Sequence, residues 1–342
     1  MNISPITSVA FSVNKNVKNI NAVELKKQNN LSFTSVLPDS NSDNMYAYGR
    51  LTFQDSDFLE MKGCSTRIFR ELASQLTVAR LLRNGQNNEV KILGCSDGSE
   101  AWAYAIALKE QIGQKVQETT KIKAVDLAPF MIEVAKTGKI VCSDVEKLYA
   151  EKTGDRAGSK SPIKGDDWDK YLIKTDAPEN FDELKKKYPC LKYYAADPIV
   201  NKKIGSGMDW YEINKDGLPE VEFKRGNMMN HLDSDPQSDN TVYVIANSGV
   251  YLFGEDPDEY VRIFEKIKQE NKDKKNDVYV VIGRTEQNIF SNAVPGVNQR
   301  DVDMTKKRIR SLGFENLQES KVRKLGIENY QDASARIYKL KK

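Results

Sequence analysis

Apolar residues in this chain gather in a few short runs separated by long polar stretches. Val90-Lys-Ile-Leu93, Lys121-Ile-Lys-Ala-Val-Asp126, Thr241-Val-Tyr-Val-Ile-Ala-Asn247 and Asp277-Val-Tyr-Val-Val-Ile-Gly283 are too short for helices and rich in branched residues. They read as buried strands. Helical spacing fills the gaps between them. After the first run, Ala101, Ala105, Leu108 and Ile112 fall on one stripe that predicts a helix lying against a sheet, and Pro129 to Lys136 restarts a helix after the second. Asp256-Pro-Asp-Glu259 is a helix start, with an N-cap Asp, proline in the first turn and an acid three residues on. The helix it opens presents Tyr260, Ile263, Phe264 and Ile267 on one face. Strand and helix alternate, which predicts a parallel sheet. A helix from Thr305 to Leu312 and two strands, Phe314–Glu319 and Ala335–Leu340, end the chain, and the strand pair is expected to close the sheet in antiparallel fashion.

The remaining segments divide the chain. Residues 1 to 44, rich in Asn, Ser and Lys, read as a disordered segment. Residues 45 to 88 form a helical lead-in, with Phe58, Met61, Ile68, Phe69, Leu72, Leu76, Val78 and Leu81 as apolar positions and a break at Gly63. Residues 89 to 342 are the main domain. It is interrupted from about 138 to 220 by a polar, turn-rich insertion carrying Gly158, Pro162, Gly165, Pro178, Pro189, Pro198 and Gly205. Asp209 to Glu220 looks like a strand and turn that return to the sheet. The aromatic residues Trp168, Tyr171, Tyr193, Tyr194, Trp210 and Tyr211 suit either a small core or a partner anchor, and the core reading is favoured.

Composition narrows the function classes. In 342 residues the net charge is only +3 and is spread along the chain, so nucleic acid is not an expected partner. Mixed blocks such as Glu183-Leu-Lys-Lys-Lys187 read as solvated faces. No run reaches membrane-spanning length, and the N-terminus lacks a signal-peptide pattern, so a cytoplasmic protein is expected. The cysteines Cys64, Cys95, Cys142 and Cys190 form no CxxC pair, which argues against zinc and suits a reducing compartment. His231 is the single histidine, which removes most histidine-based triads and multi-histidine metal sites from consideration, and no metal is expected.

The candidate chemistry lies at the joint after the first strand. Gly94 and Gly98 permit a sharp bend and close approach of a ligand. Their spacing is neither the GxGxxG of nicotinamide enzymes nor a phosphate loop, and a nucleoside without a phosphate chain fits better. In an open parallel sheet, ligands bind at the carboxyl ends of the strands where the strand order reverses. Gly94 to Gly98, Asp126, Asn227 and Asn247 all fall at such ends. Asp126 is placed either to accept bonds from both ribose hydroxyls or to cap the next helix. Asn227 or Met228 could meet an adenine edge and Asn247 a polar tail, or each Asn could be a turn residue.

Five separated motifs, in order, resemble the CheR-type chemotaxis-receptor glutamate O-methyltransferases. Thr66-Arg-Ile-Phe-Arg70 is similar to T-x-F-F-R, Ser96-Asp-Gly-Ser-Glu100 to S-T-G-E-E, and Val221-Glu-Phe-Lys-Arg-Gly-Asn-Met228 to V-x-F-x-x-x-N-L. Asn247-Ser-Gly-Val-Tyr251 keeps the Asn and Tyr of N-V-M-I-Y, and Gly283-Arg-Thr-Glu286 is similar to G-H-S-E. The resemblance runs from about Thr66 to the C-terminus. Departures are Cys64 for an Asn, Asp97 for a Thr, Ala246 for an Arg and Arg284 for a His.

The resemblance implies a Rossmann-like class I methyltransferase that uses S-adenosyl-L-methionine, with a mostly parallel seven-stranded sheet and antiparallel C-terminal strands. It implies cofactor contacts from Thr66, Arg70, Gly94, Ser96, Gly98, Glu100, Asp126, Asn227, Met228 and Asn247, with Glu100 on the cofactor's amino group. Arg70 and Tyr251 are the implied catalytic residues, holding a carboxylate and hydrogen-bonding the attacking group. The implied acceptor is a protein glutamate, and the insertion is the implied docking element for that protein. A small-molecule acceptor, or a binding module without catalysis, are the alternatives.

Overall fold

The computed structural model describes residues 72–143, 168–188, 208–245, 257–282, 299–317 and 337–342. All of them belong to the larger of two compact units, Pro38–Lys342. Among them, helix α1 (Leu72–Leu82) precedes β1 (Asn88–Leu93), α2 (Ser99–Ile112), β2 (Thr120–Asp126), α3 (Pro129–Thr137) and β3 (Lys139–Ser143). Then come β4 (Leu172–Thr175), α4 (Phe181–Lys187), β5 (Met208–Ile213), β6 (Glu220–Arg225) and β7 (Asn240–Ile245). Helix α5 (Pro257–Glu270), β8 (Asp277–Ile282), α6 (Gln299–Ser311), β9 (Phe314–Asn316) and β10 (Ile337–Leu340) complete the chain.

Seven strands form one sheet in the order β6-β2-β1-β7-β8-β10-β9. β1 pairs parallel with both β2 and β7, β2 with β6, and β7 with β8, whereas β10 runs antiparallel to β8 and β9. This is the Rossmann-like class I methyltransferase sheet. The chain first builds outward from β1 through β2 to β6 and then resumes at β7 on the other side. The order therefore reverses at the carboxyl end of β1, the place where such sheets bind ligands.

Side-chain alternation assigns the layers. Val90, Ile92, Ile122, Ala124, Val242, Val244, Tyr279, Val281 and Ile337 share one core cluster with α1 and α2. On the opposite face, α5 buries Tyr260, Ile263, Phe264 and Ile267, as their spacing predicts. Phe264 meets Phe314 edge-on at 5.1 Å and Tyr338 at 5.8 Å, which ties α5 to the antiparallel strands. Helix α6 begins at Gln299, six residues before the expected start.

Helix α2 differs from its expected form. Instead of one apolar stripe, every residue from Ala101 to Leu108 is buried. The outer side is covered by α1, whose Leu76, Ala79 and Leu82 join the same cluster, so the stretch Ala101–Leu108, in which alanines alternate with Trp102, Tyr104, Ile106 and Leu108, is enclosed all round.

Within the 138–220 stretch, β3, β5 and β4 make a second, antiparallel sheet in that order, with Met208–Ile213 as its central strand. One side packs on α2 through Tyr171, Leu172, Tyr211 and Ile213. The other buries Trp210 with α3 and α4, and Phe181 meets Trp210 edge-on at 4.8 Å. The described aromatics Tyr171, Trp210 and Tyr211 are thus core residues. Within the Glu183–Lys187 block, Leu184 is buried beside Phe181, so the block is one face of a short helix rather than wholly solvated.

Candidate functional site

The loop between β1 and α2 takes its shape from three residues with positive φ: Gly94 at 84°, Ser96 at 51° and Gly98 at 83°. The Gly94 and Cys95 amides both donate to the Val125 carbonyl, at 2.8 and 3.0 Å, which folds the loop back onto the end of β2. Ser96 is a left-handed non-glycine residue, a conformation that costs about 1–2 kcal/mol. It is held there because its N–H donates to Asp126 Oδ2 at 2.7 Å. The motif that includes Ser96 gives no sign of its left-handed backbone.

Asp126 does two jobs. Its Oδ1 accepts from the Ala128 amide at 2.8 Å and so prepares the start of α3, while its Oδ2 fixes the β1 loop. Its backbone carbonyl accepts from Gly226 N–H at 2.9 Å, which continues the β2–β6 ladder into the turn that carries Asn227. A carboxylate has about four acceptor positions, and these two bonds orient the Asp126 carboxylate at the end of β2. Of the two readings of Asp126, the helix-start bond is the one seen directly.

Gly98 makes its close approach to the protein itself. A Cβ there would lie 2.8 Å from the Phe223 ring and 3.1 Å from Ala135 Cβ. Phe223 in turn meets Trp102 at 5.6 Å, so this glycine sets the fit between α2, β6 and α3. The Asp97 departure is accommodated locally: its buried Oδ1 accepts from Ser99 Oγ at 2.7 Å and Ser99 N–H at 3.2 Å. Glu100 stands half-buried in the first turn of α2. Burial, then Asp126, push the Cys95 thiol well above its ordinary pKa, so it stays neutral between the loop glycines.

Asn227 Oδ1 accepts from Met229 N–H at 2.9 Å and caps the 3₁₀ turn Met228–Asn230. Gly94, Ser96, Gly98, Asp126 and Asn227 therefore gather at the carboxyl ends of β1, β2 and β6, with Met228 next to them. Thr66, Arg70, Asn247 and Tyr251 lie outside the described residues, as do Cys64, Ala246 and the segment 283–286.

Residues 64–155 match the family model described as CheR methyltransferase, SAM binding domain. That segment is similar to a CheR-type S-adenosylmethionine-binding domain. The matched segment contains the β1 loop and Asp126, and S-adenosyl-L-methionine is the cofactor of this S-adenosylmethionine-dependent methyltransferase. No curated protein matches the chain. Among solved structures, the plantazolicin methyltransferase BpumL in complex with SAH is 9% identical, with 92% of this chain and 97% of that chain covered at a TM-score of 0.34. Geranyl diphosphate methyltransferase in complex with GPP and sinefungin is 9% identical, with 88% and 97% covered at 0.31. A protein from Methanococcus maripaludis described as an S-adenosyl-L-methionine-dependent methyltransferase is 13% identical, with 82% and 88% covered at 0.32. Their substrates carry no argument for this chain, whose fold assignment rests on its strand order. Among its described residues no helix is long and apolar enough to cross a membrane.

Proposed function

We propose that this protein transfers the methyl group of S-adenosyl-L-methionine to a carboxylate on a protein, a glutamate side chain in the manner of the CheR type. The observation that carries the reading is the Asp126 carboxylate, fixed by the Ser96 and Ala128 amides at the strand-order reversal, where such sheets bind ligands. Glu100 in the first turn of α2 takes the cofactor's amino group, and Asn227 and Met228 meet the adenine. Bound S-adenosyl-L-methionine supplies an electrophilic methyl on a sulfonium.

The chemistry asks for placement rather than proton transfer. A glutamate with a reference pKa of about 4.3 is already an anion near neutrality, so no general base is required and one histidine is no obstacle. Arg70 holds the carboxylate by a bidentate pair and Tyr251 hydrogen-bonds the attacking group. Attack neutralises both charges, so alignment and exclusion of water dominate the rate. The antiparallel sheet of β3, β5 and β4 is the element proposed to meet the protein acceptor.

Calorimetry with S-adenosylhomocysteine tests the cofactor site, and incubation of labelled cofactor with a protein mixture tests the acceptor. Base-labile label released as methanol is the expected result. A base-stable label would move the acceptor to nitrogen or a small molecule, and binding without label would leave a non-catalytic module. Arg70→Ala and Tyr251→Phe are expected to lose transfer while keeping the fold, and unchanged turnover in both would remove their catalytic assignment.

A further inference from the structure

Between β6 and β7 the chain crosses the sheet face opposite α2, with the single turn Met228–Asn230 in place of a helix. Its main chain is held at one position after another by side chains from below. Lys266 donates to the Met229 carbonyl, and Lys91 to the His231 carbonyl at 3.0 Å and again to that of Asp233. Tyr243 donates to the Leu232 carbonyl at 2.7 Å, and Lys274 to that of Ser234 at 2.8 Å. Glu89 Oε2 accepts from the Asp235 amide at 2.9 Å.

Two of these anchors are unusual for a central parallel strand. Glu89 and Lys91 of β1 are 2% and 4% exposed, and the Lys91 ammonium lies 3.9 Å from Glu89 Oε1. Lys123 of β2 completes the group at 2.7 Å from Glu89. Burying an ammonium and a carboxylate costs several kcal/mol per ion before pairing, and apolar residues of similar size commonly serve stability as well or better. A small cavity lined by Lys91, Leu93, Val125, Lys224, His231 and Asp233 lies beside them. At that point polar bonds to the main chain act beside the buried Leu232 side chain in setting the height of the crossing segment.

We propose that Lys91, braced by Glu89, is a positioning residue that sets the adenine end of the cofactor site by fixing the 227–235 backbone against β1. The proposal rests on the cofactor reading above, in which Asn227 and Met228 meet the adenine. Lys91 touches neither cofactor nor acceptor; it acts through the two carbonyls it holds, three and five residues after Met228. Its effect should fall on how well the site distinguishes an adenine from another base.

The test compares binding of S-adenosylhomocysteine and S-inosylhomocysteine, which differ only in the edge of the base, to the full chain and to Lys91→Met. The wild type is expected to prefer the adenine compound, and Lys91→Met, which removes the charged hydrogen bonds to both carbonyls, to weaken it about tenfold while changing the inosine compound less than about twofold. Lys91→Arg, which keeps a donor for both carbonyls, should restore most of the preference. Equal losses for the two ligands would reduce Lys91 to a structural ion pair and overturn the proposal, as would an unchanged preference. If Lys91→Met does not fold, Glu89→Gln carries the same comparison with a smaller narrowing. A wild type that binds neither compound would instead overturn the cofactor reading.

Discussion

Gly98→Ala isolates the fit that holds the cofactor loop to the rest of the domain. The backbone there has φ 83° and ψ −4°, a left-handed conformation that costs an alanine about 1–2 kcal/mol. The new Cβ would also stand 2.8 and 2.9 Å from two Phe223 ring atoms and 3.1 Å from Ala135 Cβ. Phe223 is wedged against Trp102 and cannot swing aside freely, so overpacking adds about 1–3 kcal/mol, for a total of about 2–5 kcal/mol. Gly138→Ala is the matched reference. Its φ of 72° and ψ of 13° carry the same backbone term, but the crowding atoms are Lys215 Nζ and Cε, the far end of a flexible chain. Urea unfolding of both variants should give a deficit for Gly98→Ala larger by about 1–3 kcal/mol, with unchanged denaturant slope. S-adenosylhomocysteine affinity should fall for Gly98→Ala alone. Equal destabilisation of the two variants would refute the argument that Phe223 and Ala135 demand the glycine.

Three further outcomes are expected. Asp126→Asn keeps an acceptor but places an NH₂ where the second amide is bound, so calorimetry should show S-adenosylhomocysteine binding weakened by about 1.5–3 kcal/mol, the range of charged hydrogen bonds; undiminished affinity would exclude Asp126 from the ribose end. Tyr243→Phe leaves the Leu232 carbonyl without its 2.7 Å donor and should cost about 1–3 kcal/mol in urea unfolding, while a neutral effect would mean water replaces the hydroxyl. His231 has its pKa lowered by burial, then by Lys224 and Lys91, so below pH 6.5 the unfolded chain binds the proton more readily than the folded one. Stability should therefore fall as pH drops from 6.5 toward the lower folded value, and His231→Gln should flatten that slope; identical slopes would refute it.

The strands that build the main sheet were legible because short runs such as Val242 to Ile245 and Val278 to Ile282 are buried on both faces and apolar throughout. The polar side chains at their ends followed from topology. Shorter strands carried too little pattern: Leu172–Thr175 is buried only at Leu172, and nothing in its composition distinguishes it from a loop. Helix α2 carried Trp102, Tyr104 and Ile106 off the expected stripe, and their burial depends on neighbours such as α1 that local spacing does not reveal. Glu89 and Lys91 read as ordinary charged positions, since their burial depends on a segment that crosses the sheet well over a hundred residues later. At the site, Gly94 and Gly98 announced the bend, whereas Ser96 adopts its conformation only through a bond to Asp126.

The small antiparallel sheet also bears on how the chain reaches this structure. Lys121 of β2 pairs with Glu220 of β6, about a hundred residues further on. Once Lys139 pairs with Glu212 and Ile213 donates to the Gly138 carbonyl, the chain between β2 and β6 behaves as a loop of roughly twenty-five residues. Two halvings of loop length recover roughly 1.2 kcal/mol of closure entropy. Once formed, the inserted sheet thus acts as a shortcut along the chain, bringing β6, and with it Asn227, close to the edge of the main sheet.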